Sequence, residues 1–94
     1  MRLTFDALIV LDAIDRGGSF SAAAEALHRV PSAITYTVQK LEDDLGVQLF
    51  DRSGHRAQLT EAGRELLREG RRLLGAADEI EARVKRVATG VEVE

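Results

Sequence analysis

Apolar side chains recur with a helical period at the start of the chain and predict a helix over residues 5–16. Thr4 stands just before this segment, where its hydroxyl is suited to cap the first turn. Gly17 and Gly18 follow the segment, and glycine takes the left-handed conformation that ends a helix at little cost. The predicted inner face consists of Phe5, Leu8, Ile9 and Ala13.

Two more helices are predicted between residues 21 and 46, with a brief turn at 28–30 between them. Ser21 is predicted to cap the second helix, "AAAEALH", whose alanines let another helix approach closely. Pro31 stands where a third helix begins, because the first turn of a helix makes no use of the N–H that proline lacks. Gly46 is predicted to end this third helix.

The third helix is predicted to have two unlike faces. Its apolar residues are spaced four, three and four apart, which is the period of a buried face. These residues are Ile34, Val38, Leu41 and Leu45. The opposite face carries mainly short hydroxyls, an aromatic ring and an amide, namely Ser32, Thr35, Tyr36, Gln39 and Asp43. Taken alone, this face is explained equally well as a plain solvated surface or as a binding surface.

The stretch "VQLFDRSGHRAQLT" alternates apolar and polar residues in two short arms, as strands of a hairpin do. The apolar members are Val47 and Leu49 in the first arm and Ala57 and Leu59 in the second. Ser53 and Gly54 supply a turn between the arms. A small hairpin with a basic tip directly after the third helix is a wing, and the alternative is a basic loop that only aids solubility.

The last segment is predicted to be one long helix from a cap at Thr60 to about Thr89, with Gly90 as its stop. Such a helix has about 29 residues and a length of roughly 43 Å. Its apolar seam alternates steps of four and three: Leu66, Gly70, Leu73, Ala77, Ile80, Val84 and Val87. A domain this small cannot bury so long a seam, and we therefore expect it to meet a second copy of the chain.

Composition limits the class of protein. The chain has 94 residues, 45% hydrophobic and 31% charged, which is the make-up of one small globular domain. Cysteine is absent, so neither disulfides nor thiolate metal sites are available. The start of the chain lacks the features of a signal peptide, and we expect a cytoplasmic protein with no membrane partner.

The net charge of −3 argues at first against a nucleic-acid partner, but the charges are unevenly distributed. Residues 26–41 contain no acid and include Arg29 and Lys40. Residues 52–60 also contain no acid and include Arg52, His55 and Arg56. Two basic stretches on an acidic chain therefore lie beside the polar face of the third helix and in the wing.

Two helices joined by a tight turn and followed by a wing predict a mainly α winged helix-turn-helix. An enzyme is disfavoured because there is no glycine-rich phosphate loop, and both histidines, His28 and His55, fall in predicted turns. The acids at 42–44 are interpreted as a solvated helix end, not as a metal site. The main alternative to DNA binding is a winged-helix module that binds protein, for which an acidic surface would be the favouring feature.

Three segments resemble the N-terminal DNA-binding domain of LysR-type transcriptional regulators. They are "SFSAAAEAL", "PSAITYTVQKLEDDLGVQLFDR" and "LTEAG". The resemblance implies a winged helix-turn-helix at 1–60, a dimerising linker helix at 61–90, and at 91–94 the start of a hinge to an absent effector-binding domain. It further implies a double-stranded DNA operator, a homodimer with a tetramer of the full-length protein left open, and no cofactor in this fragment, the small-molecule effector belonging to the absent domain.

The same resemblance assigns residues by position. Base reading falls to Pro31, Ser32, Thr35, Tyr36 and Gln39, and phosphate contact to Ser21, Arg29, Lys40 and Arg52. The minor-groove wing falls to His55 and Arg56, and the dimer seam to Leu66, Leu73, Ala77, Ile80, Val84 and Val87. An alternative for Arg52 is an ion pair with Glu42 or Asp51.

The chain departs from the family pattern at two positions. Val30 stands where the family has Ser or Thr, and Ser32 is predicted to take over the missing cap. Tyr36 stands where many members have Arg, the commonest reader of guanine, so the usual half-site preference is not assumed.

Overall fold

Four helices and one short hairpin follow one another in the computed structural model, which describes residues 1–51, 53–54 and 56–90. The elements are α1 (Phe5–Gly17), α2 (Phe20–Leu27), α3 (Pro31–Leu45), β1 (Phe50–Asp51), β2 (Gln58–Leu59) and α4 (Glu61–Thr89). This order confirms the predicted mainly α winged helix-turn-helix. Predictions for Arg52, His55 and residues 91–94 fall outside the described residues.

Serine and threonine side chains fix where three of the helices begin. Thr4 Oγ1 accepts a hydrogen bond from the Ala7 amide at 3.1 Å, and Thr60 Oγ1 accepts one from the Gly63 amide at 3.0 Å, as predicted for both caps. The predicted cap at Ser21 is wrong, because Ser19 Oγ accepts from the Ala22 amide at 3.0 Å instead. Burial of the Phe20 ring explains the earlier start.

The Phe20 ring packs edge-on against Phe50, with ring centroids 5.4 Å apart. Aromatic pairs favour this geometry. The contact holds Phe20 in the first turn of α2, so that Ser21 lies inside the helix and is exposed.

Helix α3 begins without a side-chain cap, so the prediction that Ser32 replaces the missing cap is wrong. Pro31 has no N–H to satisfy, and the Ala33 amide bonds to the Val30 carbonyl at 3.0 Å. The remaining need for a cap is therefore small. Gly46 ends the helix in the left-handed conformation with φ +71°, as predicted.

The predicted inner face of α1 is largely wrong. The buried residues are Ala7, Leu8, Val10, Leu11 and Ile14, whereas Phe5 is 52% exposed and Ile9 is 40% exposed. Apolar residues occur on most sides of this helix. They form two alternative apolar stripes, and both stripes include Leu8. At 3.6 residues per turn, Leu11 and Ala7 lie about 60° and 100° from Leu8 in one direction, and Phe5 and Ile9 about as far in the other. The first stripe is the one that enters the core.

The end of α3 also differs from prediction. Leu45, predicted to be buried, is 41% exposed, and Glu42, predicted to be solvated, is only 5% exposed. After Gly46 the chain turns back over the last turn of α3, and two amides of the returning segment need an acceptor. Glu42 Oε2 accepts from the Leu49 amide at 2.8 Å and from the Phe50 amide at 3.3 Å.

The predicted wing is present as an antiparallel hairpin in which Phe50 pairs with Leu59 and Asp51 with Gln58. Its strands have two residues each, and Val47 lies before them, 42% exposed. Thr60 joins the hairpin to α4. The Thr60 hydroxyl donates to the Gln48 carbonyl at 2.7 Å, and the Thr60 amide donates to the Leu49 carbonyl at 3.0 Å.

The first third of α4 packs on α1. Gly70 gives room to Leu8, since a Cβ at this glycine would lie 2.6 Å from Leu8 Cδ2. Arg71 bonds to two acids of α1, with Nε 2.6 Å from Asp12 Oδ1 and Nη2 3.1 Å from Asp15 Oδ2. Burial alone would raise the pKa of Asp12, but its hydrogen bonds to Arg16 and Arg71 outweigh burial and leave that pKa lowered.

The rest of α4 projects away from the domain, which makes the molecule 53 Å long and 26 Å by 19 Å across. The predicted seam is therefore exposed within one copy over its outer half. Ile80, Val84 and Val87 are 60%, 61% and 65% exposed.

Two glycines of α4 give a matched pair for testing the junction with the wing. A Cβ at Gly63 would lie 2.2 Å from the Leu49 carbonyl oxygen, whereas a Cβ at Gly75 meets nothing within 4 Å. We expect Gly63→Ala to lower the free energy of unfolding by about 1–3 kcal/mol through overpacking. Gly75→Ala should raise it by about 0.5–1 kcal/mol, as Ala does in helices. Urea unfolding at one protein concentration measures both, and equal effects would contradict this junction.

The bond between α1 and α4 should depend on pH. Because the folded state lowers the pKa of Asp12, its contribution is complete above the ordinary pKa of about 4 and is lost as pH falls through the lower folded value. Arg71 remains partly exposed, so solvent screening keeps the loss in Asp12→Asn at pH 7 to about 1 kcal/mol or less. Urea unfolding at several pH values should show the difference from the native chain shrinking as pH falls below the ordinary pKa of about 4. Asp78→Asn, an exposed position in α4, should show no such trend.

Candidate nucleic-acid interface

The polar face of α3 is open to solvent, as predicted. Its inner side is held by the buried residues Ile34, Val38 and Leu41, which fixes the opposite side outward. The exposed members of the outer face are Pro31, Ser32, Thr35, Tyr36, Gln39 and Asp43. Tyr36 is 67% exposed, which is unusual for a large ring on a folded domain. Apart from Asp43 at the far end, this face carries no charge.

An open groove of about 370 Å³ separates this face from the wing and the start of α2. It brings together three predicted site residues from three different elements: Ser21 of α2, Thr35 of α3 and Arg56 of the wing. The Arg56 guanidinium lies over Gly18, where a Cβ would approach Nη2 to 2.3 Å. The absence of a side chain at Gly18 therefore leaves room for the Arg56 guanidinium at the edge of the groove.

A second depression, of about 290 Å³, lies farther along α3 and joins Tyr36, Gln39 and Lys40 to Asp43 and Asp44. Lys40 Nζ is 3.5 Å from Asp44 Oδ2, so this cation is drawn toward the end of the helix. The predicted phosphate contact and two predicted base-reading residues therefore share one surface.

Arg29, predicted as a phosphate contact, is engaged within the domain. Its two terminal nitrogens lie 3.1 Å and 2.5 Å from the carboxylate oxygens of Asp6 in α1. The hydrogen bond from Arg29 lowers the pKa of Asp6 against the opposing effect of burial. The pair ties the turn before α3 to α1, and a phosphate role for Arg29, which stays a prediction, requires this pair to open.

The first residues of the wing turn are shaped by Asp51. Its Oδ1 accepts a hydrogen bond from the Ser53 amide at 2.9 Å, which lowers the pKa of Asp51. This bond is typical of an aspartate-led turn, and it places Gly54 at the edge of the groove. The proposed ion pair of Arg52 and the wing role of His55 lie outside the described residues.

Two basic residues near this surface were missed from the sequence. Arg2 approaches Asp44 at 3.9 Å and borders a depression with Tyr36 and Lys40. Arg64, in the first turn of α4, donates to the Leu59 carbonyl at 3.1 Å beside the wing. Arg2 is far from α3 in the sequence, and only the fold brings the two together. Arg64 follows the predicted cap Thr60 by four residues, so its place beside the wing could have been predicted.

A cluster of metal ligands and a membrane-spanning helix are two features that the described part of the chain lacks. No group of three or more potential metal ligands occurs there. Within the same residues, none of the helices combines the length and the apolar character that a membrane crossing demands.

Comparison with known proteins identifies the family of this chain. The profile of the bacterial regulatory helix-turn-helix proteins of the lysR family matches residues 5–64. The chain belongs to the lysR family. Over 90 residues it is 59% identical to the probable HTH-type transcriptional regulator YhaJ of Escherichia coli (strain K12), covering 96% of this chain and 30% of YhaJ.

Solved structures agree with this assignment. The CbnR DNA-binding domain in a DNA complex is 37% identical, with a TM-score of 0.85 and coverage of 92% of this chain and 99% of that one. The BenM DNA-binding domain in its complex with catB site 1 DNA is 27% identical, with a TM-score of 0.93 and coverage of 96% and 97%. The chain is thus a LysR-type DNA-binding domain, which confirms the predicted family and fold class. The roles of individual residues stay predictions.

Proposed function

We propose that this LysR-type domain binds double-stranded DNA in a sequence-specific manner as part of a transcriptional regulator. The observation that carries the proposal is the uncharged, exposed face of α3 beside a groove shared with Ser21 and Arg56. Small polar groups approach base edges in the major groove, which is wide enough to admit a helix. The DNA complexes of CbnR and BenM support it by likeness.

In the proposed complex, α3 enters the major groove with its N-terminal half deepest. Pro31, Ser32 and Thr35 lie at that end, where helix amides also attract phosphate. Asp43 and Asp44 lie at the opposite end, where DNA would repel them. The wing, with Arg56 at the groove edge, meets the minor groove, while Ser21 and Lys40 contact phosphates.

We further propose a homodimer formed through α4. The outer seam is exposed in one copy, and an apolar stripe of this length is ordinarily covered by a partner helix. Phe5 and Ile9 add to this surface, because they lie on the flank of α1 beside the Leu8–Gly70 contact with α4. Their exposure, which contradicted the predicted inner face, is then explained by the second copy.

We propose the remaining features of the whole protein from its membership of the lysR family. The chain spans 30% of the length of YhaJ, and we propose that a further domain binds a small-molecule effector and that the full-length protein forms dimers or tetramers in the cytoplasm. Because its relatives are regulators, the chain has no proposed catalytic role. A protein-binding winged helix remains the alternative that the DNA experiment tests.

DNA affinity should fall steeply with salt although the chain is acidic. Each phosphate contact contributes about −0.9 to the slope of log affinity against log salt, and a dimer with several contacts should show a slope of magnitude about 4 or more. Lys40→Ala should reduce that magnitude by about one on operator and random duplex alike. Lys85→Ala, which changes the only other lysine, should leave it unchanged. Fluorescence anisotropy across a salt series measures the slope, and a flat response would favour the protein-binding alternative.

Ile80→Asp should split the dimer. Burying one such side chain contributes roughly 1.5–3 kcal/mol, and a carboxylate at this position would remove that contribution in both copies. We expect sedimentation to show a monomer at micromolar concentration. Ala82→Asp, two residues on and therefore on the far side of α4, is the control that should remain dimeric. A dimer in both variants would show that another surface joins the copies.

A further inference from the structure

The first nine residues of α3, Pro31 to Gln39, carry no cation on the face that would enter the major groove. The exposed side chains of these residues are a proline ring, two hydroxyls, one phenol and one amide: Pro31, Ser32, Thr35, Tyr36 and Gln39. Two cations near this face, Lys40 and Arg29, are engaged by acids of the same domain, whereas Arg56 of the wing lies across the groove from Thr35. Lys40 is 3.5 Å from Asp44, and Arg29 holds Asp6 through two hydrogen bonds.

This chemistry favours some base pairs over others. Guanine is read in the major groove mainly by Arg or Lys, which donate to both of its acceptors, O6 and N7. Adenine presents one donor, N6, and one acceptor, N7, and the amide of Gln39 offers the matching acceptor and donor. Thymine is distinguished by its C5-methyl group, to which an exposed aromatic ring such as that of Tyr36 supplies an apolar contact.

The spacing of the two side chains limits how far apart the bases they contact can be. Tyr36 and Gln39 are three residues apart, which corresponds to a rise of about 4.5 Å along α3. Base pairs follow one another about every 3.4 Å along the duplex. The two side chains lie on one side of α3 and are close enough to reach neighbouring base pairs.

We propose that α3 selects two neighbouring A·T pairs in each half-site, with adenine opposite the Gln39 amide and a thymine methyl against the Tyr36 ring. The inference rests on the proposed function, since it concerns the DNA that this domain binds. Tyr36 and Gln39 are then the residues that determine specificity, and the engaged cations contribute affinity without choosing bases.

Selection of bound sequences from random duplexes, followed by base-analogue scanning of the enriched site, tests the proposal. Replacing the thymine in one half-site by uracil, which lacks the methyl, should weaken binding about fourfold, the equivalent of one buried methyl group. Replacing the neighbouring adenine by 7-deazaadenine, which lacks N7, should weaken it roughly 2- to 10-fold. The Tyr36→Ala variant should be insensitive to the uracil, and the Gln39→Ala variant to the deazaadenine.

Controls separate this inference from the proposed function. Gln48→Ala, an exposed glutamine outside α3, should keep the native response to both analogues. Tyr36→Arg should move the enriched base at that step toward guanine. If an operator is enriched but Gln39→Ala relaxes choice at a G·C pair, or no thymine methyl matters, the inference is overturned and the proposed function stands. If no sequence is enriched at all, both are overturned.

Discussion

The arrangement of α3 and the wing depends on the hydrogen bonds that the buried carboxylate of Glu42 accepts. A carboxylate removed from water is costly unless it is hydrogen-bonded, and here it accepts from the amides of Leu49 and Phe50. On the other edge of the same segment, Thr60 donates to the carbonyls of Gln48 and Leu49. The stretch of residues 48–50 is thus bonded on one side to α3 and on the other to the N-cap of α4, which fixes the first strand of the wing against α3.

The exposed face of α3 is uncharged over most of its length because of its own residues, and ion pairs engage several cations elsewhere in the domain. The acids of α1 engage Arg29 and Arg71, and Asp44 at the end of α3 draws Lys40 and Arg2 toward itself. Of these cations, Lys40 and Arg2 lie near the exposed face of α3, whereas Arg71 lies on α4. Positive charge therefore lies at the margins of this surface, and its centre consists of small polar groups and one aromatic ring.

Helix limits followed from the sequence because caps and glycines act locally. Thr4, Pro31, Gly46, Thr60 and Gly90 each lie where predicted. The errors have tertiary causes. The face of α1 was ambiguous because apolar residues surround it, the start of α2 moved with a ring contact, and Glu42 was buried by a segment that returns over it. The pair of Arg29 and Asp6 spans 23 residues, so no local pattern revealed that a predicted phosphate contact was already engaged.

The unbroken length of α4 has a consequence for the geometry of DNA sites. Only its first third is packed on α1, and the exposed seam begins beyond that contact. If two copies join along the outer seam, the length of α4 sets the distance between the two copies of α3. Because an unbroken helix is stiff, a DNA site whose halves are spaced differently must bend or twist to fit. The deformation energy then depends on the sequence between the halves. Bases that no side chain touches would then influence which sites are occupied.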